Sequence, residues 1–104
     1  MTIIPNVVYY QPLSWMVTTK KTVKKQVNKL PVAVKESLFT LLLEIERLGP
    51  IRGNWPNYGK LLKNRHHCHL KKGHPTYVAV WEVKENQINL VEVVYVGSHE
   101  KAPY

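Results

Sequence analysis

The spacing of apolar residues along this chain changes period twice, and each change marks a different kind of element. Val23, Val27 and Leu30 fall at i, i+4 and i+7, which predicts a short helix with one apolar stripe and a lysine-bearing opposite face. Val34, Leu38, Leu41, Leu42, Ile45 and Leu48 then hold a helical period over several turns and predict a second, longer helix. Pro31 ends the first helix and can open the next at its first turn, and Gly49-Pro50 predicts a left-handed C-terminal cap followed by a helix breaker. Upstream, Trp15-Met16-Val17-Thr18 is β-prone and predicts the first core strand, after which Thr18 or Thr19 is the expected helix cap. Gly49, Pro50, Gly53, Pro56 and Gly59 mark a loop over 49–60, with Trp55 and Tyr58 expected to pin it against the domain.

Past this loop the period falls to two, predicting strands over 65–72, 76–83 and 88–96. Turns at Lys72-Gly73-His74-Pro75 and Glu85-Asn86-Gln87 are short enough for antiparallel hairpins. The last strand is apolar at nearly every position, so it is expected at the centre of the sheet, covered by the helices. Residues 1–13 hold Val7-Val8-Tyr9-Tyr10 between Pro5 and Pro12 and read as an N-terminal extension, either an edge strand or a loosely held arm. The expectation is one α+β domain over 14–104: a two-helix hairpin packed on an antiparallel β-sheet of about four strands.

Composition narrows the class. Among 104 residues, fifteen Lys and Arg stand against seven acids, all of them Glu, for a net charge of +8. No acid precedes Glu36, while Lys20, Lys21, Lys24, Lys25 and Lys29 crowd one helix. Between Glu46 and Glu82 the chain again has no acid but carries Arg47, Arg52, Lys60, Lys63, Arg65, Lys71 and Lys72 with four histidines. A field of one sign attracts polyanions, nucleic acid first among them, although an acidic protein partner satisfies the same charge. No apolar run reaches the roughly 20 residues of a membrane span. The start lacks the basic and long apolar regions of a signal peptide, and the single Cys68 allows no internal disulfide; a cytoplasmic protein is expected.

Candidate chemistry gathers in the last third. Alternation puts His67 and His69 on one strand face and His66 and Cys68 on the other. If Cys68 and Leu70 face the helices, His67, His69 and Lys71 share the open face, while His66 sits on the helix side near the strand edge, within reach of water. His99 and Tyr104 follow the last strand and can fold back over the open face. Four readings of these histidines stand side by side. They can bind zinc, with His67, His69 and His99 as ligands, but an H-x-H pair lacks a CxxC partner and the chain has no Asp. They can be surface residues of a basic sheet, or they can contact phosphate or base without catalysis. They can also act as acid and base on RNA, taking the 2′-OH proton and protonating the departing 5′-oxygen while cations hold the phosphate. Glu82, Glu85 and Glu92 are spread along a hairpin rather than gathered as a metal-dependent phosphodiesterase requires. No cofactor is expected, and Cys68 reads as a packed thiol rather than a nucleophile.

Element order and several segments resemble the RelE/ParE toxin superfamily of bacterial toxin–antitoxin modules. The segments are Lys29-Leu30-Pro31, Gly59-Lys60-Leu61, His67-Cys68-His69-Leu70-Lys71-Lys72-Gly73, Tyr77-Val78-Ala79-Val80-Trp81 and Gly97-Ser98-His99-Glu100-Lys101-Ala102-Pro103-Tyr104, within a match from Trp15 to Tyr104. The resemblance implies a RelE-like mRNA interferase, an endoribonuclease that cuts messenger RNA in the ribosomal A site and is neutralised by a cognate antitoxin in a hetero-oligomer. It points to His67, His69, His99 and Tyr104 as catalytic, with Lys71 beside the strand histidines. Lys60, Lys63, Arg65, Lys71, Lys72 and Lys101 are the expected RNA- and phosphate-binding residues. One departure stands out: many active members carry an arginine on the strand equivalent to 76–83, where this chain has Tyr77 and Val78. Arg65, Lys71 or Lys72 then has to supply that charge, or activity is weak or altered. Two alternatives remain: a ParE-like inhibitor that binds DNA gyrase, and a basic RNA-binding module without catalysis.

Overall fold

The computed structural model describes residues 14–71, 73 and 75–104. The N-terminal extension over 1–13, Lys72 and His74 therefore lie outside the described residues. Strand β1 (Met16–Thr19) leads into α1 (Lys21–Asn28) and α2 (Val32–Leu48), followed by β2 (Gly59–Leu61), β3 (Arg65–Lys71), β4 (Tyr77–Val83) and β5 (Leu90–Ser98), and a 3-10 turn over His99–Lys101. The sheet order is β1-β5-β4-β3-β2.

The expected α+β architecture of two helices on a sheet is present, with two differences in the sheet. Gly59–Leu61, expected as loop, pairs antiparallel with β3 as a fifth strand. Its hairpin tip places Lys63 and Asn64 at φ 62° and 59°, the left-handed backbone of the tightest β-hairpins. The second difference is that β1 runs parallel to β5, Met16 opposite Leu90 and Thr19 opposite Val93. Two helices and three strands intervene between these two in sequence, ample chain for the crossover a parallel pair needs. β5 is thus central, as its apolar run predicted.

Helical periodicity translates into burial. Val23, Leu30, Val34, Leu38, Leu41 and Ile45 meet Cys68, Leu70, Ala79, Trp81, Val91, Val93 and Val96 in one core between helices and sheet. α1 lies against β5, and α2 against β3 and β1. The pattern overreaches at Leu48, which is 68% exposed in the last turn of α2. Thr18 and Thr19 do not cap α1: both belong to β1, Thr18 Oγ1 donates to Val91 O, and Lys20 is the N-cap without a side-chain bond. Pro31 is the N-cap of α2 rather than a residue of its first turn.

Gly49 closes α2 at φ 97° and ψ 178°, so its φ is positive but its ψ is extended rather than left-handed helical. That conformation is essentially restricted to glycine, and a Cβ there would stand 3.1 Å from the Trp15 indole nitrogen. The loop beyond it is held by one carboxylate. Glu44 Oε1 accepts from Arg52 Nη1 (3.2 Å), Asn54 Nδ2 (3.0 Å) and Trp55 Nε1 (2.9 Å). Trp81 Nε1 donates to Pro50 O at 3.0 Å, and Trp55 and Tyr58 pack against the core, so both aromatics pin the loop as expected. No helix among the described residues is long and apolar enough to cross a membrane.

Two measurements test this frame. Leu41→Ala removes a fully buried side chain at the centre of α2, and denaturant titration should show a loss of about 2–5 kcal/mol. The bonds from Asn54, then Trp55 and Arg52, hold the Glu44 carboxyl below its ordinary range. A depressed carboxylate stabilises the fold above its unfolded-state pKa, and that stabilisation is lost as pH falls through the folded value. Glu44→Gln should lower the melting temperature at neutral pH and flatten its decline below about pH 4; a parallel acid limb would refute the anchoring role.

Candidate functional site

β3 meets different environments on its two faces. Cys68 and Leu70 are buried under the helices, so alternation turns His67 and His69 to the opposite, open face. There the register places Gly59 and Val80 on either side of His67, and Val78 beside His69. Val78 and Val80 are fully buried yet stand apart from the helix-side core, forming an apolar floor on the open face.

The tail after β5 returns across this floor. His99 N donates to Thr76 O at 2.8 Å, fixing the start of the turn. The Tyr104 ring then lies against His67, with centroids 4.6 Å apart and planes at 36°. His99 meets His69 at 5.5 Å and Tyr104 at 5.9 Å, edge-on to both. The four residues singled out for catalysis, His67, His69, His99 and Tyr104, therefore form one contiguous cluster of rings.

Their electrostatics differ in instructive ways. Burial, then the neighbouring His69 and His99, pushes the His67 pKa below the ordinary imidazole value. At neutral pH His67 is accordingly an unprotonated ring able to accept a proton. Its Nδ1 is enclosed without a hydrogen-bond partner among the described residues, leaving Nε2 as the nitrogen for exchange. Burial raises the Tyr104 pKa, with further push from Cys68 and Tyr95, so its phenol keeps its proton and can donate.

The expected cations are placed differently from the rings. Arg65 shares the open face, but its Nε lies 2.9 Å from Glu82 Oε1. Lys84 bridges Glu82 and Glu92 at 2.9 and 3.3 Å, so these two acids, expected to be dispersed, face each other across β4 and β5. Lys60 pairs with His66 and so belongs to the helix side of the sheet, away from His67. Lys71 does not join His67 and His69 by alternation either. A register shift between His69 and Lys71 sets it opposite Tyr77, a residue packed on the helix-side core. Lys63 sits at the exposed hairpin tip, where it lines a cavity with Arg65 and Tyr104, and Lys101 lines a groove at the C-terminal end of β5 with Gln26 and Lys29. Val78, where the resemblance leads one to look for arginine, is part of the buried floor.

His66 is only 5% exposed, not near water as expected. Its ring stacks on Trp81 at 5.9 Å with planes 6° apart, and its Nδ1 shares a 2.6 Å hydrogen bond with the Tyr58 hydroxyl. Burial, then Lys60 and His67, lowers the His66 pKa, while burial raises that of Tyr58, so the phenol donates to a neutral ring. This histidine is structural. Burial also pushes the Cys68 thiol up to about 12, with Glu44 adding to the effect, which leaves it protonated and unreactive. Among the described residues no group of three or more His, Cys, Asp or Glu is arranged to hold a metal ion.

Sequence reasoning passed over Tyr95. A bulge at Val93–Tyr95 sets Tyr95 opposite Val80, in the same cross-strand row as His67, and its hydroxyl donates to Ser98 O at 2.8 Å. The extra residue shifts the alternation of β5, and an unbroken apolar run carries no signal of such a shift.

No family model matches the sequence, and no curated protein matches it. Solved structures do. A mutant of the E. coli RelE toxin in the free state aligns with a TM-score of 0.66 at 23% identity, over 86% of this chain and 87% of that one. The isolated E. coli RelE toxin gives 0.61 at 21%, over 86% and 89%. An archaeal RelE–RelB complex from Pyrococcus horikoshii gives 0.61 at 14%, over 86% and 99%. Five strands in this order, two helices on one face and these alignments agree: the chain has the RelE toxin fold.

Proposed function

We propose that this protein is the toxin of a toxin–antitoxin module and an endoribonuclease that cuts messenger RNA on the ribosome without a metal ion. The observation that carries the reading is the convergence of His67, His69, His99 and Tyr104 on one face of the RelE fold. Neutral His67 takes the 2′-OH proton, and the freed oxygen attacks the adjacent phosphorus. The P–O5′ bond breaks, the departing 5′-oxygen receives a proton from Tyr104 or His99, and a 2′,3′-cyclic phosphate remains. His69 and His99 lie beside His67 and can hydrogen-bond the phosphate that no strand arginine meets. Surface lysines hold the RNA backbone from further out, and the net +8 charge favours the ribosome as partner.

The partner that neutralises the toxin is an antitoxin with an acidic segment, for which the same charge speeds association. RelB accompanies RelE in the archaeal complex and in an intact E. coli RelBE complex that matches at 22% identity with a TM-score of 0.59 over 85% of this chain and 100% of that one. A gyrase-binding reading retains the fold but gives the ring cluster no task.

Expression of the wild-type chain should arrest growth and yield mRNA fragments ending in cyclic phosphate. His99→Ala and deletion of Tyr104 should each relieve the arrest while circular dichroism shows an intact fold. Unchanged toxicity in both variants rejects the reading, and altered plasmid supercoiling without mRNA fragments selects gyrase instead. Proton NMR should show His66 and His67 titrating below the ordinary imidazole value of about 6.5; a His67 titrating above it would remove the proposed base.

A further inference from the structure

His67 is held by what is missing from its neighbour. Gly59 stands directly across from it in the β2–β3 pair. A Cβ built on Gly59 would lie 3.0 Å from His67 Nε2, with the rest of the ring at 3.7 Å and beyond. Nothing in the backbone demands glycine here, because Gly59 is not among the residues with positive φ. The neighbouring Gly53 has open space where its Cβ would be. The restriction at Gly59 is therefore imposed by the imidazole. The ring also meets Tyr104, and its Nδ1 is already enclosed.

We propose that Gly59 is a positioning residue for His67: its bare backbone leaves beside Nε2 the room that any side chain would take, while Tyr104 packs on the same imidazole. The assignment rests on the nuclease reading for its meaning in catalysis, but the fit itself is a property of the isolated protein. A methyl group at position 59 would press on Nε2 at 3.0 Å, so the ring has to give by a few tenths of an ångström. The enclosed Nδ1 side leaves it no inward retreat, so it gives toward solvent and loses part of its orientation and burial. A full ångström of misplacement costs about 100-fold in rate, and this smaller shift several-fold.

The test is Gly59→Ala beside Gly53→Ala as control. On mRNA-programmed ribosomes, Gly59→Ala should lower kcat by about 3- to 10-fold with little change in KM, and the acid limb of its pH–rate profile should move to higher pH. In the isolated protein the His67 titration should move up toward the ordinary imidazole value, and Gly53→Ala should change none of these. A double-mutant cycle covers the case of poor folding. Any loss of melting temperature caused by Gly59→Ala should vanish in the His67→Ala background, where no ring opposes the methyl. A loss that persists there, or a His67 titration unmoved by Gly59→Ala, overturns the assignment. If the wild-type protein fails to cut programmed ribosomes, the nuclease reading falls, while the titration and the cycle still decide whether Gly59 positions His67.

Discussion

Burial of Cys68 and Leu70 beneath α2 fixes the register of β3, and the character of the open face follows from that register. Strand periodicity is two, so a slip of one residue would exchange the faces, driving His67 and His69 under the helices and Cys68 out to solvent. The cost of such a slip is high because Cys68 meets a core that includes Leu38, Leu41, Ile45 and Trp81, all essentially without solvent contact. His66 shares the inward face but reaches it at the strand's start, where Trp81 and Tyr58 offer a stack and a hydrogen bond in place of aliphatic packing. An imidazole can be buried there because one surface stacks on Trp81 and one nitrogen is hydrogen-bonded to Tyr58. Hydrophobic packing on one side of the strand thus does the positioning for chemistry on the other.

The open face combines an apolar floor, a ring cluster and a ladder of ion pairs, each set by a cross-strand row. Gly59, His67, Val80 and Tyr95 make one row, and Arg65 with Glu82 and Glu92 makes the next. The first row is low in fixed charge and partly shielded from water, conditions under which imidazoles stay neutral and exchange protons. In the second, Lys84 and Arg65 hold the Glu82 carboxyl below its usual range. That neutralised belt keeps acidic oxygens from facing a phosphate directly. The lysines of α1 lie on the helix side, against β5, whereas Lys63 at the hairpin tip lines a cavity with Arg65 and Tyr104, so positive charge reaches both the remote surface and the edge of the ring cluster.

Much of this was legible in the sequence, and the failures have identifiable causes. Helical periods at Val34, Leu38, Leu41 and Ile45 report burial faithfully because a long helix on a sheet exposes one stripe and hides another. Strand β2 was hidden because three residues, Gly59–Leu61, between turn-forming neighbours carry no usable period. The parallel β1–β5 pair was out of reach because it joins segments far apart in sequence. Within the site, the ring cluster could be anticipated from alternation together with residues placed after the last strand. The cations could not: Lys71 is displaced by a bulge, Lys60 by register and Arg65 by a carboxylate on the next strand. Such displacements depend on partners that local pattern does not name.

The position of β5 in the sheet has a temporal consequence. It lies between β1 and β4, yet it is the last strand of the sheet to be synthesised, and the rings of His99 and Tyr104 come after it. A nascent chain that has exposed only β1 through β4 leaves β4 as an edge, and β1 has nothing to pair with. Loop-closure entropy for the first and last strands must be met before most of the apolar surface is sequestered, which slows folding relative to helical proteins of this size. The sheet can close around β5 only once the chain through Ser98 is free to pair.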